Sequence, residues 1–269
     1  MKRKVYISSF LLLFTIAIFL NGSTFRKNPK RGQNNIKVSG WPAYHQMFGD
    51  GLFRIYVFWG WEHPKETILN VIPTLDALNG KYFYFQGRPV RIEVGMCSPI
   101  TSGAKEIFKN ALEDPTIDLV IYSGHGRYGR GMAFEGQEDI FRSGDGYVVE
   151  DRSHKPYKYV KADDYHLKNT SFPPVHKIVL LNCCDSEGHF RKAWNKRFQE
   201  CKAPIELVTV EYPVFNLYDD VRVVNFITDL LNLADWSTIK ENYEAEVHKR
   251  KNILLVNPVN LYSYSHNHY

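Results

Sequence analysis

Short apolar runs alternate along this chain with segments whose apolar residues recur at helical spacing. Residues 117–126 read I-D-L-V-I-Y-S-G-H-G, with a continuous apolar run at Leu119, Val120, Ile121 and Tyr122. A run without polar alternation fits a strand covered on both faces, as in a parallel sheet. It stops at Ser123-Gly124, and His125 follows between two glycines, which let the chain turn sharply and let another backbone come close. The same design returns at Lys177-Ile178-Val179-Leu180-Leu181, which runs into Asn182-Cys183-Cys184-Asp185-Ser186.

Further elements surround this pair. Residues 53–61, F-R-I-Y-V-F-W-G-W, are rich in aromatic and β-branched types and read as a first strand. A helix starting near Pro64 and Glu66 carries Ile68, Ile72, Leu75 and Leu78, and Pro73 should kink or divide it. Residues 81–86 and 90–96 read as two strands separated by Gly87-Arg88-Pro89. Ser98-Pro99 and Thr101-Ser102 offer turn and cap chemistry for a helix with Ala104, Ile107, Phe108, Ala111 and Leu112 on one face, ended by Pro115. Beyond the second run, Phe190, Trp194, Phe198 and Cys201 mark one helix face, and 205–210 a strand. Val221, Val224, Ile227 and Leu231 mark a helix over 218–234, followed by one more helix from Trp236 and the apolar stretch 253–256. Strand–helix–strand order makes a right-handed crossover in a parallel sheet the default. The expected fold is α/β, a mostly parallel six-stranded sheet with helices on both faces. Residues 127–175 differ: Gly, Asp, Ser, Tyr, Lys and Pro dominate, and only 146–150 looks like a short strand. A span that long beside a reactive residue reads as a functional loop.

The N-terminus stands apart. Lys2-Arg3-Lys4 precedes an apolar run over residues 5–20, the layout of a secretory signal or a short membrane anchor. Asn21-Gly22-Ser23 offers small residues for cleavage, while Arg26, Lys27, Lys30 and Arg31, unusual just after a bacterial cleavage site, keep an uncleaved anchor as the alternative. The expected organisation is a targeting element at 1–23, a basic lead-in at 24–50 and one α/β domain at 51–269. That implies a secreted or extracytoplasmic protein, or one held at a membrane through residues 5–20. Hydrophobic content of 44% and charged content of 23% suit a globular chain. The net charge of +5 falls to +2 without Lys2, Arg3 and Lys4, which gives nucleic-acid binding little support. Four cysteines, Cys97, Cys183, Cys184 and Cys201, are too few to staple a domain of this size, though Cys97 or Cys201 could pair with Cys183.

If the two runs are parallel neighbours, their ends share one rim and His125 can approach Cys184. A thiol titrates near 8.5, so a cysteine nucleophile needs a base that forms or stabilises its thiolate. Backbone N–H groups of a glycine-rich turn can serve the developing oxyanion. Ser123-Gly124-His125-Gly126 at one strand end, and Asn182-Cys183-Cys184-Asp185-Ser186 at the other, resemble the caspase/metacaspase/gingipain clan of cysteine peptidases, over roughly residues 53–214. The resemblance implies His125 as general base and acid, Cys184 as nucleophile, and the N–H groups of Gly126 and Cys184 as the oxyanion hole. It sets Asn182 where relatives line the pocket for the residue before the scissile bond. A protein or peptide substrate follows, with no cofactor, although similar proteins can be calcium-activated.

The chain departs from the family in having Cys183 where Ala or Ser is usual, and Glu187 before Gly188. An inactive relative used as a binding or surface-interaction module is therefore the alternative, with a non-peptide acyl hydrolase as a third option. Asp145, with Glu150 and Asp151, could line a pocket for a basic residue, against the ordinary reading of solvated loop acids. Asp163, Asp164 and His166, and the terminal His266 and His268, lack recognised metal-ligand spacing, so no metal is expected. Asn169-Thr170-Ser171 matches a glycosylation sequon, which bears only on a eukaryotic source.

Overall fold

The computed structural model describes residues 40–60, 65–98, 101–126, 132, 134, 170–211, 214, 216–245 and 252–257, all within the compact unit Lys37–Tyr269. Seven strands form one sheet among these residues: β1 (Leu52–Trp59), β2 (Tyr82–Phe85), β3 (Arg88–Cys97), β4 (Leu119–Gly124), β5 (Lys177–Cys183), β6 (Ile205–Val210) and β7 (Leu254–Asn257). Their order is β2-β3-β1-β4-β5-β6-β7. The pairings of β1 with β3 and β4, of β4 with β5, and of β5 with β6 are parallel. Both edges, β2 on β3 and β7 on β6, are antiparallel. The fold is α/β as expected, with seven strands instead of six and antiparallel edges flanking a parallel centre.

The described helices are α1 (Tyr44–Met47), α2 (Lys65–Leu78), α3 (Ala104–Glu113), α4 (Ser186–His189), α5 (Arg191–Cys201), α6 (Asn216–Leu231) and α7 (Trp236–Glu244). They cover both faces. One core joins Ile55, Val57, Leu119, Ile121, Ile178 and Leu180 of the strands to residues of α2, α6 and α7. The other joins Phe58, Val120, Tyr122, Val179 and Leu181 to α3 and α5. Period-two alternation splits each buried strand between the two cores, which explains the unbroken apolar runs. Handedness explains which helix lies where. The chain steps one way from β1 to β3 and the opposite way from β3 to β4, so right-handed crossovers place α2 and α3 on opposite faces. The reversal leaves a switch point between β1 and β4, and the carboxyl ends of strands at such a point form the natural crevice of an open α/β sheet.

Local departures from the sequence reading have local causes. The β2–β3 hairpin turns on Gln86 and Gly87, at φ of 51° and 76°, so Arg88 and Pro89 belong to β3. Two left-handed residues are what a tight antiparallel turn requires. Helix α2 runs through Pro73 as one element, with Val71 and Leu75 buried against the sheet. Gly103, not Ser or Thr, is the N-cap of α3, and Thr101 instead accepts the Ser98 N–H at 3.0 Å. In α6 the buried apolar positions are Val223, Phe226, Ile227 and Leu230, while Val221 is 42% exposed. The apolar residues of this helix wrap more than one stripe, and packing against α2, α7 and β4 selected between them. Residues 146–150 and most of the 127–175 span lie outside the described residues, as do 1–39, which include the expected targeting element.

Candidate active site

The two apolar runs are neighbours. Ser123 pairs with Asn182 and Gly124 with Cys183 in the parallel register of β4 and β5. Carried one residue further, that register sets His125 opposite Cys184, at the carboxyl rim beside the switch point. Backbone contact continues past the ladder: a Cβ on Gly126 would stand 3.1 Å from the Cys184 carbonyl oxygen and 3.4 Å from Cys183 Sγ. His125 and Cys184 are both half-buried. Gly126 thus lies against Cys184, with His125 next to it in the chain and Asn182 two residues before Cys184 in β5. Asp145 lies outside the described residues.

Alternation along β5 separates the adjacent cysteines. Cys183 is fully buried in the core beneath α3 and α5, whereas Cys184 packs against the opposite core at its edge. The Cys184 thiol donates to the Val214 carbonyl with sulfur and oxygen 3.8 Å apart. All four cysteines are free thiols, so the possible pairing of Cys97 or Cys201 with Cys183 does not occur in this structure.

Tight packing shapes both strand ends. Gly60 N–H donates to the Ser123 carbonyl at 2.8 Å, and a Cβ on Gly124 would meet Gly60 Cα at 2.7 Å. Only glycine fits that approach of two backbones. The Tyr122 hydroxyl reaches forward to the His125 carbonyl at 2.9 Å and holds the turn. After Cys184, Asp185 adopts a left-handed φ of 45° and its carboxylate accepts the Gly188 N–H at 3.2 Å, capping α4. Ser186, fully buried, donates to the Leu181 carbonyl at 2.7 Å and accepts the Val210 N–H at 2.8 Å, tying the turn to β6. Glu187, the residue that departs from the family pattern, accepts from the Thr209 hydroxyl of β6 at 2.6 Å and pairs with Arg191 of α5. The departure thus has a place in the packing of this turn.

Asn182 is fully buried. Its amide nitrogen donates to Ser123 Oγ at 2.9 Å, and its oxygen accepts from the Tyr243 hydroxyl at 2.6 Å. Ser123 in turn donates to Asp220 Oδ1 at 3.4 Å. Tyr243 and Asp220 escaped the sequence reading. Nothing local marks them, because their partners lie 61 and 97 residues away. Ser123, inside the S-G-H-G turn, was the available clue.

Ionisable groups with strong perturbation gather at the other rim. Burial raises Asp118 to about 7 against the N–H that Arg54 donates to it, and burial lowers Lys177 to about 8. Lys177 donates to the carbonyls of Ala111 and Asp114 at 2.9 and 2.7 Å, closing the end of α3. This is support for the scaffold at the amino ends of the strands. Among the described residues no group of three His, Cys, Asp or Glu side chains gathers as a metal site, and no helix is long and apolar enough to cross a membrane. Asp163, Asp164, His166, His266 and His268 lie outside the described residues. No family model matches the sequence, and no curated protein matches it.

Proposed function

We propose that this chain is a caspase-like cysteine endopeptidase, with Cys184 as nucleophile and His125 as its base, acting on peptide bonds in proteins. The observation that supports the reading is the β4–β5 register: it ends with Gly124 beside Cys183, one residue before His125 and Cys184 at the same rim, while Cys183 is buried in the far core. In this reading His125 takes the thiol proton as Cys184 Sγ attacks the substrate carbonyl carbon. The N–H groups of Gly126 and Cys184 receive the oxyanion. Collapse breaks the C–N bond, His125 protonates the leaving amine, and a thioester remains on Cys184. His125 then takes a proton from water as the water oxygen attacks the thioester, releasing the acid and restoring the thiol. The reading needs no cofactor. Asn182 contributes to the rim through its internal hydrogen bonds, and Asp145 is kept as a substrate-pocket candidate on sequence grounds.

The proposed setting is extracytoplasmic, with residues 5–20 as signal or anchor. Labelling by a thiol-directed acyl probe tests the chemistry. The expected result is an adduct on Cys184 that disappears in His125→Ala. Absence of labelling in folded, reduced protein would sink the enzyme and leave a binding module on the same scaffold.

A further inference from the structure

The parallel ladder between β4 and β5 ends at Gly124 and Cys183, one residue short of both members of the proposed dyad. Beyond it the Tyr122 hydroxyl holds the His125 carbonyl, and Gly126 lies against the Cys184 carbonyl. One pair further back, within the ladder, a buried side-chain chain links the two strands a second time. The carboxylate of Asp220 can only accept, so the Ser123 hydroxyl donates to it and accepts from Asn182 Nδ2. That fixes the Asn182 amide, whose oxygen turns to the Tyr243 hydroxyl at 2.6 Å. Ser123, Asn182, Asp220 and Tyr243 are each no more than 1% exposed. Arg222, equally buried, lies with its guanidinium carbon 5.7 Å from the Tyr243 ring centroid and donates to the Ala245 carbonyl at 3.3 Å. The chain starts on α7, crosses both catalytic strands and ends on α6. Its two middle members each stand two residues before a dyad member, on the same strand face by alternation.

We infer that Tyr243 is a positioning residue for the Cys184–His125 dyad, acting through Asn182 and Ser123 to hold the two strand ends at a fixed separation. The inference rests on the dyad proposed above. A base acts only within hydrogen-bond reach of the thiol, so a looser clamp lowers the thiolate fraction without removing either group. Asp220 from α6 and Arg222 also face this cluster, so the effect is read between variants that retain both.

The test is the rate of Cys184 alkylation by iodoacetamide in the full-length protein from pH 5 to 10, with the modified site identified by mass spectrometry and stability followed by urea unfolding. In Tyr243→Phe the midpoint of the rate profile is expected to move up by about one pH unit, toward that of His125→Ala, with about a three- to tenfold lower rate at pH 7. The double variant Tyr243→Phe/His125→Ala should match His125→Ala alone. Ser123→Ala cuts the same chain between the strands by losing one hydroxyl, and should shift the midpoint in the same direction even where Tyr243→Phe folds poorly. If His125→Ala shifts the midpoint but both other variants leave it in place while losing stability, Tyr243 is only structural and the inference is wrong. If His125→Ala itself leaves the midpoint unchanged, the dyad reading fails and the inference falls with it.

Discussion

Replacing Gly124 by alanine puts a methyl group where two backbones meet. The new Cβ would stand 2.7 Å from Gly60 Cα, 3.0 Å from Gly60 N and 2.8 Å from the Tyr122 hydroxyl oxygen. None of these atoms can swing away cheaply. Gly60 N–H is bonded to the Ser123 carbonyl at 2.8 Å, and the fully buried Tyr122 donates to the His125 carbonyl at 2.9 Å. Overpacking of this kind costs about 1–3 kcal/mol. Each hydrogen bond stretched or lost to relieve it adds roughly 0.5–1.5 kcal/mol. With both bonds affected, the expected loss for Gly124→Ala is therefore about 2–6 kcal/mol, with the strand tips parted. Gly126→Ala makes a useful contrast, because its Cβ would meet the Cys184 carbonyl oxygen at 3.1 Å, a contact that a few tenths of an ångström relieves. It should cost less than about 1 kcal/mol, yet slow Cys184 labelling by displacing the peptide of Cys184. Urea unfolding of both variants measures the first effect, and probe labelling of the folded fraction measures the second. A Gly124→Ala protein within about 0.5 kcal/mol of the parent would refute the close-approach argument.

Other expectations are simpler to state. Under native, reducing conditions Cys184 should label and the fully buried Cys183 should not, until urea exposes it; peptide mapping of the adduct reads this, and prompt labelling of Cys183 would contradict the assignment of faces. Trp194→Ala, which empties a fully buried indole site between Phe172 and Phe198, should cost about 3–5 kcal/mol by urea unfolding. Asp118 holds its proton up to about 7, against 3.8 for the ordinary carboxyl, so its contribution to stability is full at low pH and is lost as pH rises from 4 through 7. Asp118→Asn should flatten that part of the stability–pH curve, and a remaining slope near pH 6 is expected from Asp229, whose burial raises it to about 6. Lys177 loses its proton near 8, against 10.5 for the ordinary ammonium, so the unfolded chain holds the extra proton between those values and stability should rise across pH 8 to 10.5. Lys177→Met should abolish that rise, as followed by the urea midpoint, and a rise that persists would place the titration elsewhere.

The elements most legible in the sequence were those whose signal is local. The run at 205–210 is a strand with those bounds, and the face of Phe190, Trp194 and Phe198 is the buried face of its helix. Where two apolar stripes compete, as on α6, the sequence could not choose between them, because the choice depends on what packs there. Most of the candidate site was legible for the same reason. A strand's alternation already separates Cys183 from Cys184, and glycines beside His125 already announce a close backbone approach.

What no stretch of sequence contains is the pairing of β4 with β5 across 59 residues, or the order that brings β1 to the other side of β4. These arise when apolar surfaces far apart in the chain are buried together, and each such contact depends on all the others. The S-G-H-G turn and the Asn182-Cys183-Cys184 strand end were legible in the sequence alone, as was the separation of Cys183 from Cys184 by strand alternation. That the two ends are neighbours, and that Tyr243 from α7 reaches Asn182 behind them, was decided only by the tertiary structure, where partners far apart in the chain close one hydrogen-bonded network.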